Sequence, residues 1–140
     1  MVPAQPIADI LGLGGSVRSM QELDTAVNAG LPKRALVRLS ARLFHDNRDA
    51  SAFKSKVIPP ATWKRRTTRL SRQESERIER IARVLAYAEY VLDNRDEARQ
   101  WMNSEHRELN GESPLEAART EIGARRVESV LNKLVFGLPA

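Results

Sequence analysis

The side chains able to move a proton, attack a carbonyl or hold a metal are few and scattered. His45 and His106 are the only histidines, and neither has a second imidazole or a carboxylate at a spacing that makes a metal site on one helix. Both read as surface or loop residues. Ser19, Ser71 and Ser113 fall at predicted helix caps, where their hydroxyls serve backbone N–H groups. Gly12, Gly14 and Gly15 lack the preceding strand and following lysine of a phosphate loop. Glu105 and Glu108 lie on a polar loop with no apolar pocket to raise a carboxyl pKa. The chain has no cysteine, hence no disulfide, no thiolate metal site and no thiol nucleophile, in keeping with a reducing, cytoplasmic setting. The pattern points away from an enzyme and calls for no metal or cofactor.

What remains is charge. A net +5 conceals an asymmetry: between Lys33 and Arg72 there are twelve Lys or Arg against two Asp, whereas residues 73–140 carry ten basic against thirteen acidic side chains. A confined basic block is the footprint of a phosphate-binding surface, because each cation set against DNA releases condensed counterions. A solvated basic face is the bland alternative. Within the block, Thr62-Trp63-Lys64-Arg65-Arg66-Thr67 gathers donors suited to base edges and phosphates. Candidate DNA contacts are Lys54, Lys56, Thr62, Lys64, Arg65, Arg66 and Arg69. Trp63, in the first turn of its helix, is assigned to the core.

Helices must position these groups. Residues 1–18, with Pro3, Pro6, Gly12, Gly14 and Gly15, read as a mobile end with at most one turn of helix. Ser19 and Glu22 open a helix that ends at Gly30, and Pro32 opens an amphipathic one through about Phe44. Asp46 or Asn47 caps a helix of roughly two turns around Ala52 to Val57. Ile58-Pro59-Pro60 breaks it, since a residue before proline is pushed out of the helical region, and a short helix follows. Two short helices across a tight turn fit a helix-turn-helix. Ser71 and Glu74 form a capping box for the longest helix, to about Leu92, with Ile78, Ile81, Ala82, Leu85, Ala88, Val91 and Leu92 on one stripe. Its other face, with Glu74, Glu76, Arg77, Glu79, Arg80 and Arg83, reads as solvated and supported by weak pairs. Asp93-Asn94 ends it, and a helix from Arg95 to Met102 follows.

After the Asn110-Gly111 turn, Ser113-Pro114-Leu115-Glu116 starts another helix, and Thr120 a last one with Ile122, Val127, Val130, Leu131 and Leu134 as its apolar stripe. Gly137 and Pro139 stop it, leaving Val135-Phe136-Gly137-Leu138-Pro139-Ala140 as a short apolar tail that needs a partner. The expectation is an all-α protein: residues 1–18 a mobile N-terminus, 19–70 a helix-turn-helix domain, and 71–140 a C-terminal helical domain sharing the long helix. No run of about 18 apolar residues suggests a membrane span.

Trp101-Met102, Leu109, Gly111, Ser113-Pro114-Leu115, Thr120, Gly123-Ala124-Arg125-Arg126-Val127, Leu131 and Gly137 together resemble the toxin-binding domain of the Xre/MbcA/ParS type of bacterial antitoxin. The likeness extends upstream through Leu70-Ser71, Glu76-Arg77-Ile78, Arg80-Ile81-Ala82-Arg83-Val84 and Ala98, and more weakly to Gly30-Leu31-Pro32 and Arg65-Arg66. It departs at Asn110, where the family usually has glycine, and at Glu105-His106, where it usually has Pro-Asn. The resemblance adds to the DNA-binding reading of the amino-terminal half, an Xre-like helix-turn-helix expected to bind operator DNA and repress its own operon, and as a homodimer because one such unit gives too few contacts for tight specific binding. It also implies a C-terminal half that binds a RES-domain, NAD-consuming toxin and blocks its active-site cleft. The tail residues Val135, Phe136, Gly137, Leu138, Pro139 and Ala140 would then be the anchors, and Arg119, Arg125, Arg126, Glu128 and Lys133 the polar rim. A helical repressor whose C-terminal domain only dimerises, and an adaptor that never touches DNA, are the competing readings.

Overall fold

The computed structural model describes residues 2–137. The chain begins with α1 (Ala4–Ile10), and most later helix starts are set by local side-chain caps. The Ser19 hydroxyl accepts from the Glu22 N–H to open α2 (Met20–Ala29). α3 (Lys33–Leu43) follows Pro32, and α4 (Asn47–Val57) starts where the Asp46 carboxylate accepts from the Arg48 N–H. After Ile58, extended as its place before Pro59 requires, α5 (Pro60–Arg65) takes proline at its first position. Capping boxes at Ser71/Glu74 and Ser113/Glu116 start α6 (Arg72–Leu92) and α8 (Pro114–Ala117). Asn94 caps α7 (Arg95–Met102), and Thr120 caps α9 (Glu121–Val135). Between α7 and α8 lies one 3-10 turn, Arg107–Leu109, closed by Asn110 at φ +57°. Asparagine tolerates the left-handed region better than most residues, which explains how it stands where a glycine was expected.

α6 is the axis of the molecule. α1, α2, α3, α4, α7 and α9 all pack on it, α3 reaching its late turns through Arg42 and Glu89 and α9 its middle through Arg80 and Arg83. Ile78, Ile81, Ala82, Val84, Leu85 and Ala88 are buried along it, and each large side chain so buried contributes about 1.5–3 kcal/mol. Two close backbone approaches need glycine. A Cβ on Gly30, at φ +96°, would lie 2.3 Å from the Leu70 carbonyl oxygen, in the crossing where the Leu70 N–H donates to Leu31 O at 2.8 Å. A Cβ on Gly123 would lie 1.7 Å from the Ala117 carbonyl oxygen, so α8 and α9 meet backbone to backbone.

Three expectations are corrected. Residues 1–18 are not a loose end: α1 buries Ile7 and Ile10, with Leu11 after it, against α3 and α6, and Leu13 and Val17 are buried too. Apolar burial outweighs the weak local propensity of a glycine-flanked segment. Helix α4 starts directly after the expected Asp46 cap but spans eleven residues, Asn47–Val57, rather than roughly two turns. Ile122 is 71% exposed and off the stripe, whose register runs through Gly123, Ala124, Val127, Val130 and Leu131.

The charged face of α6 also differs from expectation. Arg80 Nε donates to Glu121 at 3.1 Å and its Nη1 to the Arg119 carbonyl at 2.9 Å. Arg83 pairs with Glu79 at 3.4 Å, Glu121 at 3.2 Å and Glu128 at 3.3 Å. This seam ties α6 to α9. Burial pushes the Glu79 carboxyl up, and the Arg83 charge offsets it only in part. Burial would also raise Glu121, but hydrogen bonds and charge from Arg83 and Arg80 outweigh it and hold that carboxyl below the ordinary range.

Candidate functional site

The basic surface is assembled around α5, and three ties from the first two turns of α6 fix its frame. Arg66, just past α5, donates from Nε and Nη2 to the two Glu74 carboxylate oxygens at 3.0 and 3.1 Å. Arg77 Nη1 donates to the Val57 carbonyl at the end of α4 at 3.1 Å. The Ser75 hydroxyl accepts from the Leu31 N–H at 2.8 Å. The Glu74 side chain is only 8% exposed. Burial alone would raise its carboxyl, yet hydrogen bonds from Arg66 and from Ser71 hold it below the ordinary carboxylate range.

Among the proposed DNA contacts, Lys64 and Arg65 are exposed on α5, with Arg65 Nη2 donating to the Thr62 hydroxyl at 3.2 Å. Lys56 is exposed on α4. Arg66 is committed to Glu74, and Arg69 donates from Nη1 to the Gly30 carbonyl at 2.9 Å while remaining exposed. Lys54 lies with its ammonium 4.8 Å from the Trp63 ring centroid. Trp63 is half-buried against the core and exposes the rest of its ring to these cations. Lys33, which sequence alone places only in the general basic block, sits 4.3 Å from the same ring and donates to the Trp63 carbonyl at 3.0 Å. No sequence signal pairs residues thirty positions apart, so this contact is visible only in the fold.

At the opposite end, α9 finishes on exposed Val135 and Phe136, the latter 75% exposed. Gly137 at φ +69° turns the chain off the helix. Leu138, Pro139 and Ala140 lie outside the described residues. Exposed Tyr90 stands nearby, stacked at 6.4 Å on Tyr87, whose hydroxyl bonds Asn132. These side chains, with Pro3 and Pro6, border a groove of about 780 Å³. The expected rim residues are mostly engaged within the chain: Arg119 with Glu112 at 3.2 Å, Arg126 with the Glu108 carbonyl at 3.2 Å, Lys133 with Glu108 at 3.3 Å, and Glu128 with Arg83. Arg125 is exposed. Among the described residues no group of three or more His, Cys, Asp or Glu could hold a metal, and no helix is long and apolar enough to cross a membrane.

Residues 22–83 match the family model of the antitoxin Xre-like helix-turn-helix domain, and residues 88–137 that of the antitoxin Xre/MbcA/ParS C-terminal toxin-binding domain. Fold and matches together define an all-α protein with a helix-turn-helix domain and a toxin-binding domain joined through α6. Antitoxin Xre of Pseudomonas putida is 30% identical over 121 residues, covering 83% of this chain and 72% of that protein. The chain belongs to the Xre antitoxin family.

Proposed function

We propose that this antitoxin neutralises a RES-domain, NAD-consuming toxin by covering its active-site cleft with the end of α9, and that its helix-turn-helix half represses its own operon as a homodimer. The observation that carries the toxin-directed half is the solvent-facing apolar end of the toxin-binding domain, where Val135 and Phe136 leave the helix uncovered. Exposed aromatic side chains of this kind supply most of the energy of a docked interface. Because Arg119, Arg126, Glu128 and Lys133 already have partners within the chain, they reach a toxin only by exchanging them, whereas Arg125 is exposed and has no ion-pair partner among the described residues. The repression half is supported by the exposed donors of α5 and by the helix-turn-helix match. A single such unit makes few contacts, and dimerisation doubles them.

The test is a chain lacking residues 136–140, produced with a cognate RES-domain toxin. Growth and cellular NAD should collapse as they do with no antitoxin, while the truncated chain keeps its helicity and its DNA binding. A truncated chain that still protects cells refutes the covering mechanism.

A further inference from the structure

We propose that Lys33 and Lys54 are a clamp for one stretch of DNA backbone, with Trp63 as the positioning residue that holds both ammonium groups; this rests on the DNA-binding reading above. The clamp would draw on three helices: Lys33 opens α3, Lys54 lies in the last turn of α4, and Trp63 belongs to α5. Their ammonium groups stand 4.3 and 4.8 Å from the centroid of one indole. Neither lysine is paired with a carboxylate among the described residues.

Two like charges drawn to one ring repel each other, and the negative face of the indole offsets that only in part. An anion placed beside them would remove the conflict. Lys33 spends one N–H on the Trp63 carbonyl and keeps donors for an incoming oxygen. That same bond ties the site to α5, whose next residues, Lys64 and Arg65, are exposed and offer donors to neighbouring phosphates or base edges. The anion that fits a site flanking these residues is a DNA phosphate. Trp63 thereby joins core packing to a role at the surface. Its buried part anchors α5, and its ring restricts two otherwise flexible lysines before DNA arrives.

The experiment measures binding of the full chain to a fluorescein-labelled duplex from upstream of its own gene, across a series of KCl concentrations. Each lost phosphate contact lowers the slope of log Kobs against log salt by about 0.9. Lys33→Gln and Lys54→Gln should each lower it by that amount, and the double variant by about twice as much. Lys33→Arg with Lys54→Arg should restore the slope. Trp63→Phe, which keeps an aromatic face, should stay near the parent slope, whereas Trp63→Leu should lower it. Circular dichroism identifies any Trp63 variant that has lost its fold, in which case the lysine series decides. An unchanged slope in the double glutamine variant overturns the clamp and leaves DNA binding standing. A parent chain that does not bind the duplex at the lowest salt overturns both.

Discussion

Replacing Gly123 by alanine sets two effects of opposite sign against each other, and the structure decides between them. Gly123 is the third residue of α9, and alanine in a helix is favoured over glycine by about 1 kcal/mol. The added methyl, however, would lie 1.7 Å from the Ala117 carbonyl oxygen and 2.7 Å from its carbon, against a normal contact distance of about 3.5–4.0 Å. The obstructing atoms are backbone, so no side-chain rotation relieves them. Relief requires α8 to move away from α9, loosening the packing of Ala117, Ala118, Ala124 and Val127, all buried. Overpacking of this kind costs about 1–3 kcal/mol or more, and so tight a backbone clash belongs at or above the top of that range. With the helix-propensity gain subtracted, the net loss is about 2 kcal/mol, a fall in Tm of roughly 6–8 °C for a chain of this size. Thermal and urea melts followed by circular dichroism measure it. Gly15→Ala is the internal control: nothing lies within 4 Å of its added methyl, and its effect should be neutral or a gain of up to about 1 kcal/mol. A Gly123→Ala chain as stable as its parent would refute the backbone contact between α8 and α9.

Ile7 is fully buried, so Ile7→Ala should cost about 2–5 kcal/mol in urea unfolding, whereas a frayed N-terminal segment would show no loss. Glu74 has a carboxyl held below the ordinary range in the folded chain, so its contribution is fully present above about pH 4.3 and is lost as pH falls through the lowered folded-state value. The urea midpoint of Glu74→Gln should therefore lie below that of the parent near neutrality and converge with it in acid; a gap that stays constant with pH would show that the Arg66 pair contributes nothing.

What the sequence discloses follows from the range of the interactions involved. The starts of α2, α6, α7, α8 and α9 are readable because Ser19, Ser71, Asn94, Ser113 and Thr120 each bond a backbone N–H three residues on. A cap is a local event, written in adjacent letters. The packed state of α1 is hidden because it depends on surfaces of α3 and α6 far along the chain. The charged face of α6 looks solvated in sequence for the same reason: helix spacing rules compare residues three or four apart, and Arg83 meets Glu121 and Glu128 thirty-eight and forty-five positions away. In the basic region, residue type points to Lys64 and Arg65, but only coordinates show that Arg66 is turned inward to Glu74 while Lys33 comes up beside Trp63.

The two family matches meet inside α6, one ending at residue 83 and the other beginning at 88. Units that look separable on paper therefore have no seam in space where they could be parted. Cutting the chain between them would divide a continuous 21-residue rod and strip α9 of Arg80 and Arg83, while the upstream piece would lose the later turns of its own central support. Shuffling of such halves between relatives would have to carry the whole rod with one side and re-match its contacts on the other, so exchange of partners is constrained by shared architecture before any question of recognition arises.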